Sequence, residues 1–389
     1  MNDSRRAFLT AVGAVAGGGC LGFPSRSPAT RQSRSSTTNV DKTPTEATGQ
    51  PTTAETTDEP EPSLTTIGFG GDTMVGRNLN DIYGRDGVDP ASVWGDLQPR
   101  LTDLDAVFCN LECCISDRGE RSPDRSYYFR GDPDWAVPAL SAGNVQFASL
   151  ANNHAMDFGE VAMRDTRTHL EDAGIEVAGA GENADAARAP ATVSVRELDV
   201  AVISFSERGY AYRSTEHAPG IAFITFDSEI ARTRRVVGDA IDRAAATDPD
   251  LLVASVHWGK NWVERPGDRL VEFGHWLVDH GVDLVHGHSA HVPQAVERYG
   301  DGLILHDTGD LVDDFGVVER VRNDRSFLFE VTLTDGEFDQ VRLVPIHIDD
   351  GVSLASDEQA AWLRTTIRAR SAAFETTYER DGDGLVVEL

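Results

Sequence analysis

The chain has 389 residues, of which 64 are acidic and 35 basic, giving a formal net charge of −29. Such an excess of carboxylates argues against a nucleic-acid partner, because phosphate backbones are bound by basic surfaces. It suits a protein kept soluble in concentrated salt, where screening weakens self-repulsion, and so points to a halophilic source.

The first residues, MNDSRRAFLTAVGAVAGGGC, join the twin arginine Arg5 and Arg6 to a short apolar run and small residues before Cys20. This pattern predicts a twin-arginine export signal over 1–20, too short to span a bilayer, with a lipobox-like setting for lipidation of Cys20. Residues 21–62 are dominated by Ser, Thr, Pro and Glu. With almost no large apolar side chain, nothing there offsets the entropy of ordering, and a disordered tether is expected. Signal and tether together predict a lipid-anchored protein on the extracellular face of the cytoplasmic membrane. A folded domain over 63–350 follows, with a C-terminal helix and tail over 351–389 packed on it.

Within the body, strand-like and helix-like runs alternate. Strands are predicted over 64–72, 106–112, 145–152, 199–206, 250–259 and 282–288, from apolar, β-rich stretches bounded by turn residues. Helices are predicted over 89–105, 132–143, 158–174, 228–246 and 267–281, from apolar spacing, Pro133 near a start and glycine stops. After Val292 the pattern becomes a run of strands, 292–300, 302–310, 326–336 and 338–348, which reads as a β-meander. The expectation is one α/β domain with helices outside a central pair of sheets. Cys109, Cys113 and Cys114 crowd one segment without zinc-ribbon spacing or a plausible mutual bridge, and read as apolar packing.

Polar residues fall at the ends of the apolar runs: Asp72, then Asn110 with Glu112, then Asn153 with His154, then His257, then His286, His288 and His291. Strand ends and the loops after them are where open α/β sheets bind ligands. Taken singly, Asp72 reads as a turn residue or helix cap, Asn153 as a turn former and His257 as a satisfied, partly buried histidine. The three histidines around Gly287 are the stronger signal, because a glycine there lets the chain turn so that imidazoles converge. Five such strand ends together point to one site.

Carboxylate, amide oxygen and imidazole form a donor set for divalent ions of the Mn, Fe or Zn class, one or two in number. Asp72 and Glu112 would neutralise the charge, with Glu112 able to bridge; Asn153, His257, His288 and His291 would complete the shells. His154 is left to meet a phosphoryl group or leaving oxygen, with Asp157 one turn on to orient it. Arg77 and Arg130 are anion contacts by type, though a surface ion pair accounts equally for an arginine such as Arg130. Asn110 and His286 complete the expected substrate contacts.

Six blocks carry a resemblance over about 65–350: GFGGDTMVGR (68–77), CNLE (109–112), LANNHAMDFG (150–159), SVHWG (255–259), HGHSAHVPQAVE (286–297) and ILHDTGDLVDDFG (304–316). In these the chain resembles the CapA family of poly-γ-glutamate capsule synthesis, related to calcineurin-like metallophosphatases. The resemblance implies a four-layer α/β/β/α sandwich with metal at the edge of the two sheets. It also implies ligand or catalytic roles for Asp72, Glu112, Asn153, His154, His257, His288 and His291. Metallophosphatases usually begin Asp-x-His, whereas Thr73 and Met74 follow Asp72 here, so a single metal or a weakly held second is an open alternative. The choice of ligands among His286, His288 and His291 is open too. Two functions are implied: a metal-dependent hydrolase of a phosphoester or an anionic polymer, or a non-catalytic polymer-binding component working with capsule-assembly proteins.

Overall fold

The computed structural model describes residues 62–389 apart from 124, 227 and 228. The expected export signal, Cys20 and all but the last residue of the tether lie outside the described residues. The first half runs β1 (Leu64–Thr73), β2 (Ala106–Leu111), α1 (Pro133–Ala142), β3 (Val145–Ser149), α2 (Gly159–Asp172) and β4 (Glu176–Ala178). β1 through β4 lie side by side and parallel. Parallel strands are covered on both faces, which is why their sequences read as nearly unbroken apolar runs. α1 starts where the Asp132 side chain accepts from the Asp134 amide and Pro133 occupies the first turn.

The second half runs β5 (Ala191–Val195), β6 (Leu198–Ser206), α3 (Ile230–Ala245), β7 (Leu251–His257), α4 (Asp268–Val278), β8 (Leu284–His288), β9 (Val296–Tyr299) and β10 (Gly302–Leu305). These strands form a second sheet in the order β9-β10-β8-β7-β6-β5. The chain then crosses back as β11 (Asp310–Val312), β12 (Arg325–Thr334), β13 (Glu337–Ile348), β14 (Val352–Leu354), α5 (Asp357–Arg370), β15 (Glu379–Asp381) and β16 (Gly384–Glu388). β12 pairs antiparallel with β1, and β11 pairs parallel with the end of β1.

Side-chain alternation assigns the layers. Phe108 of β2 points between the sheets with Phe69 and Phe147, against Val202, Val253 and Leu284 of the second sheet. Its neighbours Val107 and Cys109 point outward to Trp94, Trp135 and Met163 under the first helical layer. On the far side, Ile203, Ala254 and Val285 meet Val237, Ile241, Phe273 and Leu277 of α3 and α4. The result is the expected α/β/β/α stack. Each fully buried large side chain contributes roughly 1.5–3 kcal/mol from surface removed from water. Cys109, Cys113 and Cys114 are buried and unpaired, and burial pushes the Cys109 and Cys114 thiols up to about 12, in keeping with their reading as packing residues.

Two expectations are corrected. The 89–105 helix is a 3-10 segment Pro90–Leu97, broken at Gly95 with φ 49°, followed by a short helix Gln98–Asp103. The segments after Val292 are not a meander: the β9–β10 hairpin extends the second sheet and the β12–β13 hairpin extends the first. Local alternation specifies a hairpin but not the sheet edge it joins. The C-terminal tail joins the first sheet, where β16 hydrogen-bonds to β13 and carries β15 at the edge. α5, begun by a capping box of Ser356 and Gln359, sends Leu363 and Ile367 into the inter-sheet core.

The first sheet meets the crossing segment closely at Gly71. A Cβ on Gly71 would lie 1.8 Å from the Gly309 carbonyl oxygen. Since backbone faces backbone, no side chain can yield. Gly71→Ala is therefore expected to cost more than the 1–3 kcal/mol of ordinary overpacking, roughly 3 or above. Urea denaturation reads this directly, and an unchanged midpoint would contradict the close approach.

Candidate metal centre

The register of the two sheets brings the polar strand ends together. Asp72 near the end of β1 lies beside Asn110 of β2 and beside Asp310 of β11. In the second sheet His257 at the end of β7 lies beside His288 at the end of β8. The turn after β8 bends at Ser289, φ 109°, and at His291, φ 56°. These non-glycine residues make the turn; Gly287 stays in the strand, where a Cβ would lie 2.1 Å from the His306 carbonyl oxygen. Left-handed backbone at a β-carbon-bearing residue stores strain, and it is kept where the surroundings fix a side chain's direction. Here it aims His291 back at Asp72.

Two compact donor groups result, Asp72 with His257 and His288, and Asp72 with His291 and Asp310. Asp72 Oδ1 lies 3.6 Å from both His257 Nδ1 and His288 Nδ1. Asp72 Oδ2 lies 3.1 Å from His291 Nδ1, which is also 2.8 Å from Asp310 Oδ1. The shared carboxylate is thus Asp72. Glu112, expected as the bridge, stands at the edge of both groups, 3.5 Å from His257 Nε2 and 3.9 Å from His291 Nδ1. Asn153 joins them, its Oδ1 3.0 Å from His257 Nε2 and its Nδ2 donating to Glu112 Oε1 at 3.3 Å.

All six charged or ionisable members, Asp72, Glu112, His257, His288, His291 and Asp310, are buried. Burial pushes the Glu112 carboxyl well up, with the Asp72 charge adding to it, and raises Asp310 against the pull of His291. Burial acts upward on Asp72 as well, yet the His257 and His291 imidazoles hold it well below the usual carboxylate range. His257 and His288 are pushed down by burial. His291 goes well up, because Asp310 and Glu112 outweigh the effect of its burial. Glu112 Oε2 and Asp310 Oδ2 are shut off from solvent with no hydrogen-bond partner. A buried polar atom left this way costs about 1–3 kcal/mol. Buried carboxylates gathered with imidazole nitrogens, one of them with its orphaned oxygen 3.9 Å from His291 Nδ1, are the donor chemistry of a divalent first-row cation, and the residues fit one.

Chelation should therefore destabilise the fold. At a free metal concentration 100 times its Kd, bound ion contributes about 2.7 kcal/mol, which corresponds to a Tm drop on the order of 5 °C on its removal. Scanning calorimetry with Mn²⁺ against excess EDTA checks this, and coincident melts would contradict it.

Beside the donors stands a second group. His154 Nδ1 is 2.6 Å from Asp157 Oδ2, which also accepts from the Phe129 amide at 2.8 Å. Arg125 Nε reaches Asp157 Oδ1 at 3.0 Å, and the Tyr212 hydroxyl donates to the same oxygen at 3.4 Å. With Asp157 accepting at Nδ1, Nε2 of His154 faces the donors, 3.8 Å from Glu112 Oε1, with the Arg125 guanidinium 3.4 Å away. Burial lowers the His154 pKa, the Asp157 carboxylate opposing it. The Asn152 side chain accepts from the His154 amide at 3.0 Å and so fixes the loop.

The four other expected site residues take different places. Asn110 is fully buried and donates to Asp72 Oδ1 at 2.7 Å while sitting 3.2 Å from His257 Nδ1, so it orients the donors. His286 is fully buried deeper between the sheets, with Nε2 3.0 Å from the Gly70 carbonyl and 3.2 Å from Thr308 Oγ1. Arg77 lies near the rim, over the Phe129 ring at 4.9 Å, but is paired with Asp314 at 3.3 Å. Arg130 stacks on Phe158 at 4.1 Å and donates to the Arg118 carbonyl at 3.4 Å. The arginine of that segment that does reach the site is Arg125. Asp310 is the other residue the sequence reading passed over, although it stands in the quoted block 304–316. Asp307 supports the loop by accepting from the Ala290 and Gly309 amides at 2.7 and 2.9 Å.

Residues 66–315 match the family model described as bacterial capsule synthesis protein PGA_cap. That span contains every donor just described. A probable polyglutamine synthesis accessory protein of Mycobacterium tuberculosis is 32% identical over 361 residues, covering 80% of this chain and 93% of that protein. The capsule biosynthesis protein CapA of Bacillus anthracis is 26% identical, covering 82% of this chain and 76% of that protein. The PGA biosynthesis protein CapA of Bacillus subtilis is 26% identical, covering 77% and 76% respectively. With more than half its length matched by the family model, the chain belongs to the CapA family of bacterial capsule synthesis proteins.

Proposed function

We propose that this protein takes part in the biogenesis of a capsule or other extracellular anionic polymer of the poly-γ-glutamate type, as a metal-dependent, phosphoesterase-like hydrolase. The relatives named for capsule, PGA and polyglutamine synthesis support the process. The observation that carries the hydrolase reading is the His154–Asp157–Arg125 unit, which adjoins the donors without being consumed by them. Asp72, Glu112, Asn153, His257, His288, His291 and Asp310 would hold the ions. Divalent ions held there supply Lewis acidity and charge neutralisation for a phosphoryl or acyl centre. Asp157 keeps the His154 ring oriented with Nε2 toward the reacting group. An approaching anion raises the proton affinity of that imidazole, so Nε2 can bring a proton to the leaving oxygen. Export by the twin-arginine route and lipidation at Cys20 would place this chemistry on the outer face of the cytoplasmic membrane.

Purified protein with Mn²⁺ is expected to hydrolyse a generic phosphomonoester or phosphodiester. Absence of metal-dependent turnover on any phosphate ester and on polyglutamate would sink the hydrolase reading. One observation favours the second reading, a binding component for the growing polymer with the metal kept for structure. The imidazole of an Asp-x-His pair is missing, and Met74 in its place is fully buried in the outer core. Under that reading the protein binds metal and polymer without turnover, and deleting its gene impairs polymer retention.

A further inference from the structure

A cavity of about 870 Å³ lies outside the metal centre, lined by Arg188, Arg213, Arg232, Tyr210, Phe223 and Val236 among others. Three guanidiniums in one concavity run against the grain of a chain with net charge −29. Arg188 is the unusual one. Its Nε is shut off from solvent and donates to nothing, and among the described residues no carboxylate pairs with its guanidinium. A half-buried cation without a counterion is costly. Its surroundings add to that cost: burial first, then the Arg232, Arg243 and Arg235 charges, push Arg188 below the ordinary arginine range despite the nearby Asp185.

The other two arginines are held open toward the cavity. Arg213 is stacked 4.1 Å over the Tyr210 ring and donates to the Tyr210 carbonyl at 3.2 Å. Arg232 pairs with Glu229 at 3.0 Å, both ends exposed, an interaction that is weak and easily exchanged. Asp185, Glu216 and Glu229 also line the cavity, three carboxylates to the three arginines, all with exposed side chains that can turn to water. The turn Tyr210–Tyr212 ties this cavity to the metal centre. Tyr210 lines the cavity, while two residues on the Tyr212 hydroxyl meets Asp157.

We propose that this cavity is an oxyanion subsite, in which Arg188 holds a carboxylate or phosphate group of an extended anionic ligand. Guanidinium forks match either group in pairs of hydrogen bonds, and the apolar Phe223 and Val236 suit the aliphatic links between successive charges. The subsite deepens the polymer reading above by giving the substrate a second anchorage, but anion capture itself does not depend on turnover. It also answers how an acidic protein engages an acidic polymer: the contact is made through an arginine that has no carboxylate of its own.

The test is calorimetric titration of the purified, Mn²⁺-loaded full chain with a γ-linked glutamate oligomer and, separately, with inorganic polyphosphate, at low and high salt. The wild type should bind at least one probe, with affinity falling as salt rises; the probe that binds identifies carboxylate or phosphate as the ligand. Arg188→Gln should weaken that binding about 10- to 100-fold, with metal content intact and Tm equal or higher, because the arginine has no partner to lose. Arg232→Ala, at an exposed position, should weaken it by a smaller factor. Asp72→Asn should lose metal yet keep the Arg188-dependent binding. Equal binding by wild type and Arg188→Gln, or no binding of either probe, overturns the subsite. A wild type that binds through Arg188 but turns nothing over would refute the hydrolase reading alone.

Discussion

Asp72→Asn is expected to strip the protein of all bound metal, weakening affinity by more than about 100-fold, beyond the 10- to 100-fold typical of losing a supporting residue. The expectation follows from geometry. Asp72 is the one residue common to both donor groups, with Oδ1 turned to His257 and His288 and Oδ2 to His291. Asparagine keeps the volume, and its one amide oxygen can still accept from either the Asn110 side chain or the Ser289 amide, which in the wild type donate to the two carboxylate oxygens at 2.7 and 3.1 Å. The fold should survive while the charge is lost. Asp310→Asn is the informative companion, since Asp310 belongs to only one of the groups. It should release one ion and leave the other, as read by elemental analysis of the two variants side by side.

His154→Ala should lower turnover of a phosphoester by about 10²- to 10⁴-fold, the usual range for a positioned general acid or base, with metal content unchanged. That split separates His154 from the donors: its Nδ1 is engaged by Asp157 at 2.6 Å, and it is absent from both compact donor groups. Asp157→Asn should cost less, because the partners that hold that side chain, Arg125, the Phe129 amide and Tyr212, remain to place an asparagine beside the ring. Steady-state rates at fixed Mn²⁺ measure both variants. Wild-type turnover in a correctly metallated His154→Ala would remove His154 from the chemistry.

The strand ends were legible because buried parallel strands read as apolar runs, so a polar residue at the tip of each stands out. What failed was depth and direction. His286 and His288 share a face of β8, but a rise of about 3.3 Å per residue sets His286 roughly 6–7 Å further down the strand, where it bonds the Gly70 carbonyl instead of the site. Arg125 and Arg130 come from one irregular segment with no period to say which side chain turns inward. Asp310 needed knowledge that the chain crosses from β10 back to β1, a long-range pairing that local alternation does not encode. The same lack of long-range information turned two separate hairpins into an expected meander.

Elemental analysis of the purified wild-type protein tests the account most directly. Two donor groups sharing one carboxylate predict two equivalents of a first-row transition metal per chain. One equivalent would contradict the shared-carboxylate pair, and none would contradict the metal centre itself.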